Sequence, residues 1–181
     1  MRYCACGSKF AGCEKGMVIK VDDRKMTIRR AKEEDLLLIQ ELIKGLASYE
    51  KRPQDVTGTK EQLHYWLFEK KIAAVWLAEY EKETAGYALY YPVFGSFAAA
   101  GSVYLEDFFL KEEFRGCGLG RCFFSKIAEA VLAEGYTGME WSCLDWNRTA
   151  IDFYRRQEAE QETGRVYFGL DYQGLRRVAG T

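Results

Sequence analysis

The 181-residue sequence predicts a mixed α/β (α+β) fold with the element order β-α-α-β-β-β-α-β-α-β. Short runs rich in β-branched and aromatic residues alternate with segments whose apolar residues recur at helical spacing. Two strand runs, 72–79 and 85–93, are separated by little more than Glu81-Lys82-Glu83 and read as a hairpin. At mid-chain the apolar run 103–110 leads through Arg115-Gly116-Cys117-Gly118-Leu119-Gly120 directly into a helical pattern. Strand, glycine loop and helix N-terminus in that order form an anion site. Glycines let backbone N–H groups turn inward, and the helix start adds unpaired donors and a positive dipole end.

Taken in order, residues 26–30 alternate apolar and basic and fit a short first strand. Lys32-Glu33-Glu34-Asp35 puts acidic groups at a helix start, where the dipole favours them. Leu36, Ile39, Leu42, Ile43 and Leu46 keep helical spacing to about Ala47, with Gly45 weakening the end. Pro53 and Gly58 mark a loop, and Thr59-Lys60-Glu61-Gln62 opens a second helix with Leu63, Trp66 and Leu67 inward. His64, the one histidine, is expected at a partly exposed position there. In the hairpin, Pro92 is expected to end regular pairing. The mid-chain helix carries Phe124, Ile127, Ala128 and Val131 on one face. A turn between Gly135 and Gly138 then precedes a fifth strand at 139–144. Asn147 is a plausible N-cap for a helix carrying Ala150, Ile151, Phe153 and Tyr154, and residues 166–172 read as a last strand.

Length and composition bound the function. A chain of this size is one domain with a substantial core. A net charge of −1 gives no reason to expect nucleic acid or an anionic membrane as partner. No apolar run approaches the roughly 18 residues of a membrane span, and the first residues lack a signal-peptide core. A cytoplasmic protein with reduced thiols is expected. Residues 1–25 read as a flexible extension, with Met17 or Met26 as an alternative start, 26–172 as the domain and 173–181 as a tail. Cys4, Cys6 and Cys13 are too irregularly spaced for a zinc site, so no metal is expected. Cys117 is expected in a loop near a cofactor and Cys143 as a small packed hydrophobe.

A Walker loop would end Gly-Lys-Ser/Thr, whereas Gly120 is followed by Arg121-Cys122. Glycines at 116, 118 and 120 also miss the G-x-G-x-x-G order of a dinucleotide site. Arg-x-x-Gly-x-Gly after a strand carrying Glu-Asp resembles the pyrophosphate segment of GNAT acetyltransferases. Tyr104-Leu105-Glu106-Asp107-Phe108-Phe109 followed by Arg115-Gly116 resembles their spermidine/spermine and thialysine branch. Ala47-Ser48-Tyr49-Glu50, Gly86-Tyr87-Ala88-Leu89-Tyr90-Tyr91 and Trp146-Asn147 before Ile151-Asp152-Phe153-Tyr154 extend the likeness over residues 26–170.

The resemblance implies a mixed, mostly antiparallel sheet splayed between its fourth and fifth strands. It implies acetyl-CoA as cofactor, a small-molecule amine as substrate and a homodimer. It assigns cofactor contacts to Phe108, Phe109 and Leu110 on the splayed strand, and to Arg115, Gly116, Cys117, Gly118, Leu119, Gly120 and Arg121 in the loop. Asn147 and Ala150 line the lower cleft in this likeness. Tyr154 is the implied general acid for the departing thiolate and Glu106 the implied base, acting through water. Tyr49, Glu50, Glu106, Asp107, Glu140, Trp141 and Ser142 are the implied acceptor-channel residues. Acidic walls attract di- and polyamines that are cationic at neutral pH.

Glu106 and Asp107, adjacent on a strand, are expected on opposite faces. The chain departs from the family where Glu158 replaces a glycine after Phe153-Tyr154, which predicts strain at that helix end. Small apolar residues between Gly95 and Gly101 weaken a polyamine reading of the mouth. The alternatives are an acetyltransferase for a protein lysine or an aminoglycoside, and a non-catalytic acyl-CoA-binding module.

Overall fold

A computed structural model describes residues 25–181; the cysteine-bearing leader therefore lies outside the described residues. The chain divides into two units, Met1–Ser142 and Cys143–Thr181. The first holds a five-stranded sheet in the order β1-β2-β3-β4-β5. The strands are β1 (Met26–Arg30), β2 (Ala74–Tyr80), β3 (Glu83–Gly95), β4 (Ala100–Leu110) and β5 (Met139–Glu140). The first four pair antiparallel and β4 pairs β5 in parallel, as the mixed α/β expectation requires.

Helix α1 (Leu36–Tyr49) covers one face of the sheet. Ile39 and Leu42 pack against Leu67, Val75, Leu77, Tyr87 and Phe109, all buried. Its start is tied to the sheet by Arg29, whose guanidinium donates twice to Asp35, at 2.7 and 2.8 Å, and once to Glu79, at 2.7 Å. Asp35 also accepts the Lys32 N–H at 2.8 Å, and its carboxyl is held below the usual range, chiefly by the Arg29 bonds. Gly45 does not end α1. It stands where a Cβ would come within 3.2 Å of the Phe109 ring, so a small residue lets the helix lie close on β4. Helix α2 (Lys60–His64) opens with a Thr59/Gln62 capping box and widens into a π-helical turn, Tyr65–Glu69. His64 is partly exposed between Glu33 and Glu69.

Helix α3 (Leu119–Ala133) lies on the other face, where Phe108 of β4 stacks on Phe123 at 4.9 Å and meets Phe124 edge-on at 5.4 Å. The hairpin predicted around Glu81 forms, but its turn is tighter. Tyr80 pairs with Glu83, leaving Glu81 and Lys82 at φ 51° and 74°. That is the mirror-image turn whose twist suits a hairpin, built here without glycine. Pro92 does not end pairing, since it sits opposite Val103 and the β3–β4 ladder runs on to Gly95. β2 begins opposite Tyr90, so beyond it β3 is an edge strand, where proline is tolerated.

The second unit contains α4 (Arg148–Arg155) and α5 (Tyr172–Ala179). The expected last strand at 166–172 does not form. Those residues carry a strand's composition but have no ladder partner, and Tyr167 and Phe168 are 82% and 94% exposed. Asp171 instead caps α5, accepting the Gly174 N–H at 2.7 Å, so the expected tail is helical. Cys143 is exposed rather than packed, because β5 stops at Glu140 and the residues after it leave the sheet. No helix among the described residues is long and apolar enough to cross a membrane.

Candidate active site

The register of β4 determines what its acidic pair can do. Leu89 pairs with Asp107 but Tyr90 pairs with Leu105, so Glu106 is the extra residue of a β-bulge. The bulge cancels the alternation that would send neighbours to opposite faces. The Tyr87 hydroxyl donates to Asp107 at 2.9 Å and the Tyr91 hydroxyl to Glu106 at 3.4 Å. Tyr87 and Tyr91 are four residues apart on β3 and share a face. Glu106 and Asp107 therefore both point to the α1 side, against expectation.

The resulting site is acidic. Asp107 is deeply buried, and burial pushes its carboxyl up to about 6, against the Tyr87 hydrogen bond; Glu106 and Glu50 add to the rise. Burial also raises the Glu50 carboxyl, with Arg52 opposing. Tyr87, buried and facing Asp107, has its phenol driven far above its ordinary value, mainly by burial. Tyr91 stacks on Tyr104 with centroids 5.5 Å apart, and its phenol is raised by burial, then by Glu106, with Glu140 contributing. Tyr104 donates to Ser142 at 2.9 Å. Glu50, Glu106, Asp107, Glu140 and Ser142 thus surround one aromatic-walled patch. Among the described residues no three acidic, His or Cys side chains are arranged to hold a metal ion.

Two acceptor-channel expectations go elsewhere. Trp141 packs edge-on against Phe124 of α3 at 5.4 Å, on the opposite side of the sheet. The Tyr49 ring lies under the Arg115 guanidinium at 4.2 Å. Arg115, half-buried, also donates to the Leu110 carbonyl at 2.7 Å and faces the Phe109 ring at 5.2 Å. Desolvation lowers its pKa from the usual guanidinium range. These groups line a cavity of about 410 Å³ between α1 and the end of β4.

The glycine loop has the predicted form. Gly116 and Gly118 take φ of 74° and 91°, conformations open to glycine, and Gly118 is the N-cap of α3. The N–H groups of Leu119 and Gly120 stand in the first turn, which has no upstream carbonyl to accept them. Leu119 is buried beneath the loop and Arg121 is exposed. Buried Cys117 donates its thiol to the Phe114 carbonyl at 3.3 Å, and so acts as a loop brace. Beyond the Tyr104–Glu140 pair, β4 and β5 are no longer paired, which leaves the β5-side edge of Leu105 to Leu110 open. Phe108, Phe109 and Leu110 stand on that open stretch.

In the second unit Asn147, buried, caps α4 by accepting the Ala150 N–H at 3.2 Å. Tyr154 stands on α4 with Phe153 edge-on at 5.2 Å. The helix ends on a paired motif, Ala159 N–H to Tyr154 carbonyl and Glu158 N–H to Arg155 carbonyl. Glu158 there takes φ 61°, the strain its replacement of glycine predicts.

A family model described as Acetyltransferase (GNAT) family matches residues 39–158. The chain belongs to the GNAT acetyltransferase family. Its relatives include the thialysine N-epsilon-acetyltransferase of Bos taurus, 33% identical over 165 residues, covering 84% of this chain and 96% of that protein. The L-ornithine N5-acetyltransferase of Arabidopsis thaliana is 36% identical over 76 residues, 42% of this chain and 33% of that protein. Among solved structures, an aminoglycoside acetyltransferase from an uncultured soil metagenomic sample superposes with a TM-score of 0.70. It is 20% identical, covering 82% of this chain and 99% of that one, a likeness of fold.

In this GNAT enzyme, sequence reasoning missed Tyr87, Tyr91 and Tyr104 as partners of the acidic residues. Gly86-Tyr87-Ala88-Leu89-Tyr90-Tyr91 marked the segment. Which tyrosine meets which carboxylate depends on the bulge, which the sequence does not display.

Proposed function

We propose that this GNAT N-acetyltransferase acetylates a primary amine of a small di- or polyamine or a thialysine-like side chain. The observation that carries the reading is the bulge at Glu106, which gathers Glu106 and Asp107 on one face with Glu50. Clustered carboxylates favour a cationic acceptor and lower its cost of leaving water. The thialysine acetyltransferase relative supports the same acceptor class.

The donor reading is acetyl-CoA, which supplies the acyl group as an activated thioester when bound. The residues fit it. Positive-φ glycines at 116 and 118 and the first turn of α3 offer donors suited to a pyrophosphate. The open edge of β4 offers backbone groups to an extended arm. Exposed Glu106 takes a proton from the incoming ammonium through water, freeing the nitrogen lone pair to attack the carbonyl carbon. Tyr154 is the general acid of this reading: its hydroxyl would supply the proton that the thiolate takes up when the C–N bond has formed and the C–S bond breaks. Asp107 and Glu50 hold the acceptor's positive charge. A homodimer working in the cytoplasm completes the reading.

The test is acetyl transfer to putrescine, spermidine, thialysine, lysine, an aminoglycoside and a lysine peptide, with products read by mass. One small cationic amine should be acetylated. Tyr154→Phe should lower kcat about 100-fold or more while acetyl-CoA affinity stays nearly constant. Equal turnover in the two proteins removes the general-acid assignment. Coenzyme A binding without product from any amine favours a binding module.

A further inference from the structure

The cavity between α1 and the end of β4 carries a cation that acetyl transfer to a plain diamine does not use. All its lining residues belong to the first unit, and four of them are charged: Glu41, Lys111, Glu112 and Arg115. Its volume, about 410 Å³, falls within the range of small-ligand sites. The half-buried Arg115 guanidinium lies over the Tyr49 ring at 4.2 Å and the Phe109 ring at 5.2 Å. Its Nε donates to the Leu110 carbonyl at 2.7 Å. Among the described residues neither of its Nη groups has an acceptor, and no carboxylate forms an ion pair with it. Burial lowers its pKa against the pull of Tyr49, Glu112 and Glu113. A guanidinium keeps its charge in such surroundings, so a positioned fork of donors stands ready for a carboxylate.

This cavity adjoins the acidic patch. Tyr49 precedes Glu50 in the chain. Phe109 stands on the α1 face of β4, two residues and about 7 Å along the strand from Asp107. The Phe109 and Tyr87 rings are 6.2 Å apart, and Tyr87 in turn donates to Asp107. We propose that the acceptor is an ω-amino α-amino acid, whose α-carboxylate pairs with the Arg115 fork while its terminal ammonium reaches the carboxylates of the patch. This narrows the acceptor within the acetyl-transfer reading above, on which it rests. A side chain of lysine length spans the step from Phe109 to Asp107. Glu41 and Glu112 give the same cavity negative charge for the α-ammonium. A di- or polyamine in this position would leave Arg115 without an anion and set a second cation beside it, a like-charge contact that selects against it.

Paired acceptors test this on the wild-type enzyme: thialysine, lysine and ornithine, each against its α-carboxamide and the diamine left by removing the carboxylate. Acetylation of the terminal amine is read by mass. The kcat/KM for the best acid should exceed that for its carboxamide and its diamine by about 30-fold or more. Arg115→Gln should shrink this ratio to a few-fold, and a ratio within one protein does not depend on how much of the variant folds. Arg115→Lys keeps the charge without the fork, should leave an intermediate ratio, and serves where Arg115→Gln does not fold. If carboxamides and diamines are acetylated as well as the acids, the carboxylate site is overturned and the acetyl-transfer reading stands. If no amine is acetylated, both fall. A ratio that survives both variants gives Arg115 a structural role and overturns the site. A variant that raises KM for acetyl-CoA and slows all acceptors alike gives Arg115 to the cofactor, which also overturns it.

Discussion

Asp107 concentrates the conflict between stability and use in one side chain. Its carboxyl is raised to about 6 in the folded protein, above the ordinary unfolded value of 3.8. The folded state therefore holds the proton more tightly between those values, and stability falls as pH rises from about 4 to 6. Above that window the ionised, buried group costs on the order of 2–3 kcal/mol. Asp107→Asn keeps an acceptor for the Tyr87 hydroxyl and removes the charge. It should raise the thermal midpoint at pH 7, with the gain shrinking to little below pH 4, while amine turnover drops. A midpoint difference that does not change with pH would contradict the burial argument. Glu158 is a simpler case. The same two hydrogen bonds that close α4 also close α3, where Gly135 takes the left-handed position at φ 86°. Glu158 is exposed and makes that turn at φ 61°, so Glu158→Gly should stabilise by about 1 kcal/mol in denaturant unfolding.

At the scale of elements, two bulges among the described strands shape the candidate active face. The one at Glu106 turns two carboxylates to the α1 side. The other lies in β3, where Ala78 pairs with Gly86 but Glu79 with Thr84. Gly86 is the residue on which β3 and β4 close, since a Cβ there would lie 2.0 Å from the Phe109 carbonyl oxygen. Backbone cannot yield as a flexible side chain does. Gly86→Ala should cost about 3 kcal/mol or more and displace Phe109. Gly58, with open space around its α-carbon, is the control, and Gly58→Ala should leave unfolding nearly unchanged. Equal effects at both glycines would mean that close approach at β4 is not what Gly86 serves.

For the whole molecule, charge is nearly balanced at −1, so attraction for the cationic acceptor proposed above must come from local placement. Glu50, Glu106, Asp107 and Glu140 concentrate negative charge on one sheet face. Exposed charges are screened beyond about 8 Å at physiological salt. Raising salt from 0.05 to about 0.5 M should therefore increase KM for a diamine several-fold and kcat little. A flat KM would argue that apolar contacts select the acceptor.

Much of this molecule was legible before folding. Apolar spacing in α1 and α3, the Asn147 cap, the glycine loop and the departure at Glu158 are local patterns, and local backbone preference realises them directly. The mixed α/β order followed from them, and so did the family. Three things were not local. The face of Glu106 depends on one extra residue in a strand pairing, and a shift of one residue reverses every side chain beyond it. Arg115 and Trp141 were assigned by likeness, but their neighbours, Tyr49 and Phe124, come from distant elements. Residues 166–172 have a strand's composition, but a strand exists only when another edge accepts its hydrogen bonds. The sequence alone determined most of the helices, the first four strands, the fold class and the glycine loop before α3, because these follow from short-range backbone and side-chain preferences. Tertiary structure alone decided which carboxylates share a face and how far each is buried, because register and desolvation arise only when distant strands meet.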